Sequence, residues 1–178
     1  QEVCGIGRGQ CSAIYDTTRY TAKPVPIIAD GGIQNTGNII KAFVMGSSAV
    51  MMGSLFAGTD EACNETYFEN GIRLKKYRGM GSLDVMKSRD ETASRYFAKS
   101  DDIVRVAQGV SGSVVSKGSV ANYVPYLVKG VKHGFQDIGI KHLNDIRNSV
   151  DTGNIKFEIR SIASMTEGGV HDLYNYVK

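Results

Sequence analysis

With 178 residues, a formal net charge of +3 and 42% hydrophobic content, the chain suits one soluble globular unit and leaves no room for two large domains. No apolar run approaches the ~20 residues of a membrane helix, and so small a charge argues against a nucleic-acid partner, for which a clustered basic face is expected. Twenty-one glycines without a period, against three prolines, exclude collagen-like and disordered classes and point to many turns and close backbone approaches.

Gln10 to Thr21 reads as a short helix that carries Ile14 and Tyr15 inward. Val25 to Ala29 is continuously apolar and ends in Asp30-Gly31-Gly32, which predicts a strand buried on both faces of a parallel sheet. Asn35 or Thr36 caps the next helix, where Ile39, Ile40, Phe43 and Val44 recur at helical spacing until Gly46 stops it. Ala49 to Met52 is a second buried strand, ending in Gly53-Ser54. Helix and strand alternating over such short connections is β/α-repeat architecture, either a (β/α)8 barrel or a doubly wound sheet. Asn70-Gly71 between the strand-like flanks of Tyr67 to Leu74 then marks a hairpin. From Leu83 to about Val106 the chain is polar, charged and weakly periodic, the pattern of a mobile flap. Pro125 suits the first turn of a helix beginning near Tyr123, with Leu127, Val131, Phe135 and Ile138 as its apolar stripe and Gly139 as its stop. Beyond Asn148 runs a polar tail that contains Glu167-Gly168-Gly169.

Two consecutive strands ending in Asp30-Gly31-Gly32 and Gly53-Ser54 form one constellation. In a barrel, binding groups sit at the C-terminal ends of strands, and the last loops often hold phosphate through backbone N–H groups. The glycines allow the backbone to approach phosphate oxygens, Ser54 can donate a hydroxyl, and Asp30 can accept from ribose hydroxyls; the same glycines equally serve tight turns alone. Lys75, Lys76 and Arg78 form a basic cluster that reads more readily as a solvated hairpin than as an anion site. Gly79-Met80-Gly81 is a backbone run whose N–H and C=O groups could read the edge of a planar heterocycle, and Gln108 is a loop amide between small residues. Arg95-Tyr96 by itself is an exposed charge beside a packed aromatic. The cysteines, Cys4, Cys11 and Cys63, contain no C-x-x-C pair and fit a reduced, cytoplasmic setting. Cys4 has Arg8 nearby but no His to act as base, so it reads as structural.

Together these residues resemble the inosine-5′-monophosphate (IMP) dehydrogenase family. The motifs that carry the resemblance are Gln1-Glu2-Val3 with Gly7-Arg8, Ile28-Ala29-Asp30-Gly31-Gly32-Ile33-Gln34, Met51-Met52-Gly53-Ser54-Leu55, Tyr77-Arg78-Gly79-Met80-Gly81-Ser82, Arg95-Tyr96-Phe97, Ala107-Gln108-Gly109-Val110 and Glu167-Gly168-Gly169. They stand in the family's order over essentially the whole chain, and Arg73 to Ser82 is similar to the eukaryotic branch. GMP reductase shares the barrel and the strand-end glycines but lacks the Arg-Tyr pair. It remains the alternative enzyme, and a noncatalytic nucleotide-binding fragment is the alternative of another class.

The resemblance implies that Asp30 holds the ribose hydroxyls and that Gly31, Gly32, Gly53, Ser54 and Tyr77 hold the phosphate. It gives the hypoxanthine ring to Gly79, Met80, Gly81 and Gln108, and makes Arg95 the base, with Tyr96 as helper, that activates water. It implies NAD as hydride acceptor, and K+ at Glu167, Gly168 and Gly169 in a homotetramer. The family's cysteine nucleophile falls upstream of Gln1, and none of Cys4, Cys11 and Cys63 inherits its role. The opening at Gln1, with neither Met nor a targeting pattern, reads as mid-domain. The expected fold is therefore the C-terminal part of a (β/α)8 TIM barrel, which needs the missing N-terminal part of the same barrel and is inactive alone. Its expected divisions are 1–60 for late β/α units, 61–122 for an inserted hairpin and flap, 123–150 for the final barrel helix and 151–178 for the tail.

Overall fold

The computed structural model describes residues 5–22, 25–88 and 106–168. In chain order the elements are α1 (Gln10–Tyr20), β1 (Ile28–Asp30), α2 (Thr36–Val44), β2 (Ala49–Met51), α3 (Ser54–Ala57), β3 (Thr66–Glu69), β4 (Ile72–Arg78), α4 (Leu83–Ser88), β5 (Ser111–Val115), α5 (Val120–Asp137), α6 (Asp145–Asp151) and α7 (Ile162–Glu167). The chain is thus α/β, with β1 and β2 paired in parallel and β3, β4 and β5 forming an antiparallel sheet in that order. No closed barrel forms among the described residues.

Local chemistry explains most boundaries. Asn35 accepts the N–H of Asn38 at 3.0 Å and so caps α2, satisfying a donor that the first helical turn cannot pair internally. The hairpin turns at Asn70 and Gly71, both with positive φ (50° and 77°), the backbone that a tight two-residue connection requires. Helix α5 starts at Val120, capped by the Ser119 hydroxyl. Pro125 accordingly lies inside the helix and not in its first turn, because the serine cap sets the start upstream of the proline. Gly139, with φ 74°, marks the expected stop.

The core lies between the parallel pair and the helices on one side of it. Ile14, Ala29, Ile33, Ile39, Ala42, Leu55 and Leu127 form its buried cluster, with Phe43, Val50, Phe56, Tyr123 and Val131 packed against it. Helices α2 and α5 approach closely because α5 presents Gly130 and Gly134 to Thr36 and Ile40. A Cβ on Gly130 would stand 2.7 Å from Thr36 Cγ2, so a larger residue there would force the helices apart. Phe43 and Phe135 meet across the same interface with ring centroids 6.1 Å apart.

Several expectations are corrected. Tyr15 does not turn inward; it lies at the surface under Arg19, whose guanidinium carbon is 4.3 Å from the ring centroid, an arrangement that a cation–π contact favours. The apolar strands are not buried on both faces: Ile28 is 56% and Met51 50% exposed. Only Ala29 and Val50 face the helices, since the register that pairs Ile28 with Ala49 and Asp30 with Met51 turns those residues to the opposite side. Ile138 is likewise exposed, because it falls at the C-cap of α5 after the last packed turn. Strand β5 and helices α3, α4, α6 and α7 were not anticipated as elements. Most of the expected flap, residues 89–105, lies outside the described residues.

Leu127 is the buried contact of α5 with the core, and truncating it removes apolar contacts that the flanking helices cannot fully close over. Leu127→Ala in the full-length protein is expected to cost about 2–5 kcal/mol, read as a lower urea midpoint at unchanged slope. A loss below about 0.5 kcal/mol would mean that α5 does not close this core.

Candidate functional site

The parallel register brings the ends of β1 and β2 side by side, Asp30 opposite Met51, so the loops that follow leave the sheet together. Gly31 and Gly32 take φ 96° and 72° in succession with open space at both Cβ positions; conformation, not crowding, selects glycine there. The Asp30 carboxylate stands at an exposed residue, and its carbonyl accepts a hydrogen bond of 3.0 Å from Gln10 Nε2, which ties α1 to the strand end. Gly53 closes β2's loop and opens α3, whose Leu55 and Ala57 are buried and anchor it.

The hairpin reaches this loop through Tyr77. Its hydroxyl lies 3.3 Å from where a Gly53 Cβ would stand and 3.7 Å from the corresponding point at Gly79. Beyond Tyr77, two loops are laced together. The Gly79 N–H donates to the Val110 carbonyl at 2.8 Å, and the Gly81 carbonyl accepts from the N–H groups of Gln108 and Gly109 at 2.9 and 2.7 Å. Both lone pairs of that carbonyl are thereby taken, so a ligand at Gly81 would meet donors rather than this acceptor. Met80 is exposed on the same loop, as is Gln108 on the other. The structure therefore joins Asp30-Gly31-Gly32, Gly53-Ser54, Tyr77, Gly79-Met80-Gly81 and Gln108 into one connected surface.

Other expected residues lie apart or outside. Glu167 ends α7 and Gly168 follows it at the C-cap, while Arg95, Tyr96, Gly169 and Cys4 fall outside the described residues. Cys11 and Cys63 are exposed free thiols.

Sequence reasoning missed three side chains near the site. Lys75 is not a solvated hairpin charge; it is 2% exposed, and its Nζ donates to the carbonyls of Thr59 (2.6 Å), Ala62 (2.7 Å) and Asp60 (3.4 Å). The signal was available in strand alternation, which puts Lys75 on the same face of β4 as Tyr77. Of the other two basic residues, Lys76 pairs with Glu65 at 2.6 Å and Arg78 is exposed. Ser82, next to Gly81, is buried with its hydroxyl unpartnered. Glu61 accepts from the Ser119 hydroxyl at 2.6 Å and the Val120 N–H at 2.8 Å, so its carboxylate sits on the N-terminus of α5. The Ser119 hydrogen bond first, and the Val120 N–H next, hold its pKa below the ordinary glutamate value.

Residues 1–171 match the IMP dehydrogenase / GMP reductase domain. The chain belongs to the IMP dehydrogenase / GMP reductase family. It is 49% identical over 180 aligned residues to an inosine-5′-monophosphate dehydrogenase of Caenorhabditis elegans, covering 100% of this chain and 34% of that protein. Enzymes of the same name from Toxoplasma gondii and Vigna unguiculata are 42% and 45% identical, with 99% and 100% of this chain and 41% and 35% of theirs covered. The chain thus spans little more than a third of the length of these relatives. A TIM-barrel family fits the parallel β1–β2 pair with its helices, of which this chain holds a part. Among the described residues no helix is long and apolar enough to cross a membrane.

The Glu61 cap supplies a pH signature. Because the folded-state pKa is lowered, its contribution to stability is complete above the ordinary glutamate pKa of about 4.3 and disappears as pH falls through the folded value. Glu61→Gln should therefore lower the urea midpoint at neutral pH, and the gap to wild type should narrow as the solution is made more acidic. A gap that is constant with pH would show that the carboxylate charge has no part in the cap.

Proposed function

We propose that this chain is the C-terminal part of a (β/α)8 barrel enzyme that oxidises IMP to xanthosine monophosphate, in guanine nucleotide synthesis. The observation that carries this reading is the Tyr77 hydroxyl beside Gly53, which joins the strand-end glycine loops to the Gly79–Gly81 and Gln108 loops in one surface. The relatives' shared name supports the same substrate. The Arg95-Tyr96 pair favours the dehydrogenase over the reductase.

In this reading Asp30 accepts from the ribose hydroxyls, while N–H groups at Gly31, Gly32 and Gly53, with the hydroxyls of Ser54 and Tyr77, donate to the phosphate. The N–H groups of Met80 and Gly81 and the amide of Gln108 hold the base edge, on a loop whose Gly79 N–H is engaged by the Val110 carbonyl. A thiolate from the preceding part of the barrel adds to C2 of the purine, and the C2 hydride departs. NAD+ bound in the complete barrel supplies the acceptor for that hydride. Water then attacks C2, the C–S bond breaks and the thiolate is released. Arg95 takes the water's proton, aided by Tyr96; a guanidinium with a pKa above ~12 can do so only if the site orients and desolvates it.

The uncovered face of Ile28, Ala49 and Met51 supports a need for the earlier barrel strands, without which the chain is expected to be inactive. Glu167 and Gly168 stand at the C-terminal end of α7, where helix carbonyls run out of internal partners and where the Arg160 guanidinium already donates to the Ser164 carbonyl. Oxygen donors of this kind suit a hard cation, and with Gly169 they would hold K+ at a subunit interface of a cytoplasmic homotetramer.

Because the base acts only after hydride transfer, Arg95→Ala in the full-length enzyme should leave the first-turnover burst of NADH intact. Steady turnover should fall by about 10²–10⁴-fold. Stopped-flow absorbance reads both phases, and a burst slowed as much as turnover would refute the assignment. For the cation, ending the full-length enzyme before Glu167 should abolish activation by K+. Unchanged K+ dependence in the shortened enzyme would remove these residues from the site.

A further inference from the structure

Three successive residues on one face of β4 meet the segment that follows β2. Arg73 pairs with Asp60 at 2.8 Å, Lys75 donates to the carbonyls of Thr59, Asp60 and Ala62, and Tyr77 reaches Gly53. The middle contact is chemically unusual. An ammonium at 2% exposure is costly to desolvate, and among the described residues no carboxylate is within ion-pair distance of it. Asp60 is engaged by Arg73, and Glu61 by Ser119 and Val120. Three backbone carbonyls instead match the three donors of the ammonium. An apolar side chain would fill the same volume without that cost, so the value of lysine here lies in direction: it fixes where β4 sits along the 59–62 segment.

That segment is held on its other side as well. Lys117 N–H donates to the Gly58 carbonyl at 2.8 Å and Asp60 N–H to the Gly118 carbonyl at 2.9 Å, and the Glu61 carboxylate grips the start of α5. Back toward Gly53 the connection is the single turn of α3, closed by bonds from Phe56 and Ala57 to the Gly53 carbonyl at 3.2 and 3.0 Å. Two residues of strand advance about 6.8 Å, and α3 lies between the two contacts on the other side. Lys75 and Tyr77 on the strand therefore match the 59–62 segment and Gly53 at either end of α3. Gripping one end sets the other.

We propose that Lys75 is a positioning residue for substrate binding: its hold on the carbonyls of Thr59, Asp60 and Ala62 sets the register of β4 that puts the Tyr77 hydroxyl at the Gly53 loop, and so governs affinity for the substrate's phosphate. This rests on the phosphate reading of Tyr77 given above. Lys75 touches no substrate and acts only through Tyr77.

The test is a double-mutant cycle in the full-length enzyme, with KM for IMP and kcat measured separately for Lys75→Met, Tyr77→Phe and the double variant. Each single change is expected to raise KM for IMP about tenfold, equivalent to ~1.4 kcal/mol, with kcat within about twofold. The double variant should be no worse than Tyr77→Phe alone, since the two residues act as one unit. If Tyr77→Phe leaves KM unchanged, the phosphate reading of Tyr77 falls. If Tyr77→Phe raises KM but the effect of Lys75→Met multiplies with it, or Lys75→Met lowers melting temperature or kcat with no change in KM, the positioning role falls and the phosphate reading stands. Should Lys75→Met fail to fold, Lys75→Gln, which keeps two donors, enters the same cycle with the same expected non-additivity, and multiplicative effects overturn the proposal in that variant too.

Discussion

One buried ammonium links the two sheets of this structure. The parallel pair with its helices and the antiparallel hairpin sheet have different hydrogen-bond systems, and they meet along residues 53 to 62 and the short bridge of Thr59 with Gly118. Among the described residues the only charge taken fully out of water at that seam is Lys75. Its hydrogen bonds go to main-chain carbonyls, with the Glu61 carboxylate attracting it from beyond contact distance. A carboxylate partner could swing with its side chain; the Thr59 carbonyl cannot, because the Asp60 N–H of the same peptide is held by the Gly118 carbonyl. Directional bonding to a fixed backbone gives the seam a defined register where apolar packing alone would permit sliding.

The same logic orders the surface above it. Tyr77 is placed by the strand below, Gly53 by the buried Leu55 and Ala57, and the Gly79–Ser82 loop by its bonds to Gln108, Gly109 and Val110. Each of these groups is set by main-chain geometry anchored elsewhere, whereas the exposed side chains of Asp30 and Gln108 are not. Such pre-organisation lowers the ordering cost of binding any ligand there.

Features governed by neighbours in sequence were legible before the fold was known. The Asn35 cap, the Asn70-Gly71 turn, the Gly139 stop and the strand-end glycines each follow from conformational preferences of one or two residues. Features governed by distant partners were not. Strand β5 begins Ser111-Gly112-Ser113, with no apolar alternation to betray it, and exists because β4 lies opposite. Pro125 looked like a helix start until Ser119 and Glu61 supplied an earlier one. Lys75 sits in a run of basic residues that looks solvated, and although strand alternation puts it on the face of Tyr77, the three carbonyls gathered around it come from a loop more than a dozen residues upstream. The expectation that Ile28 and Met51 are buried failed because the β1–β2 register, which no local signal sets, turns them to the face opposite the helices.

The doubly used carbonyl of Gly81 has a further meaning for how such a protein varies. It fastens the chain just after it leaves the hairpin sheet to Gln108 and Gly109, just before β5 begins at Ser111. Ends joined in this way stay together whatever length of chain stands between them, and in general each doubling of a loop's length costs only about 0.6 kcal/mol in closure entropy. Descendants of one ancestor could therefore lengthen, shorten or exchange that segment while the two loops joined at Gly81 stay as they were.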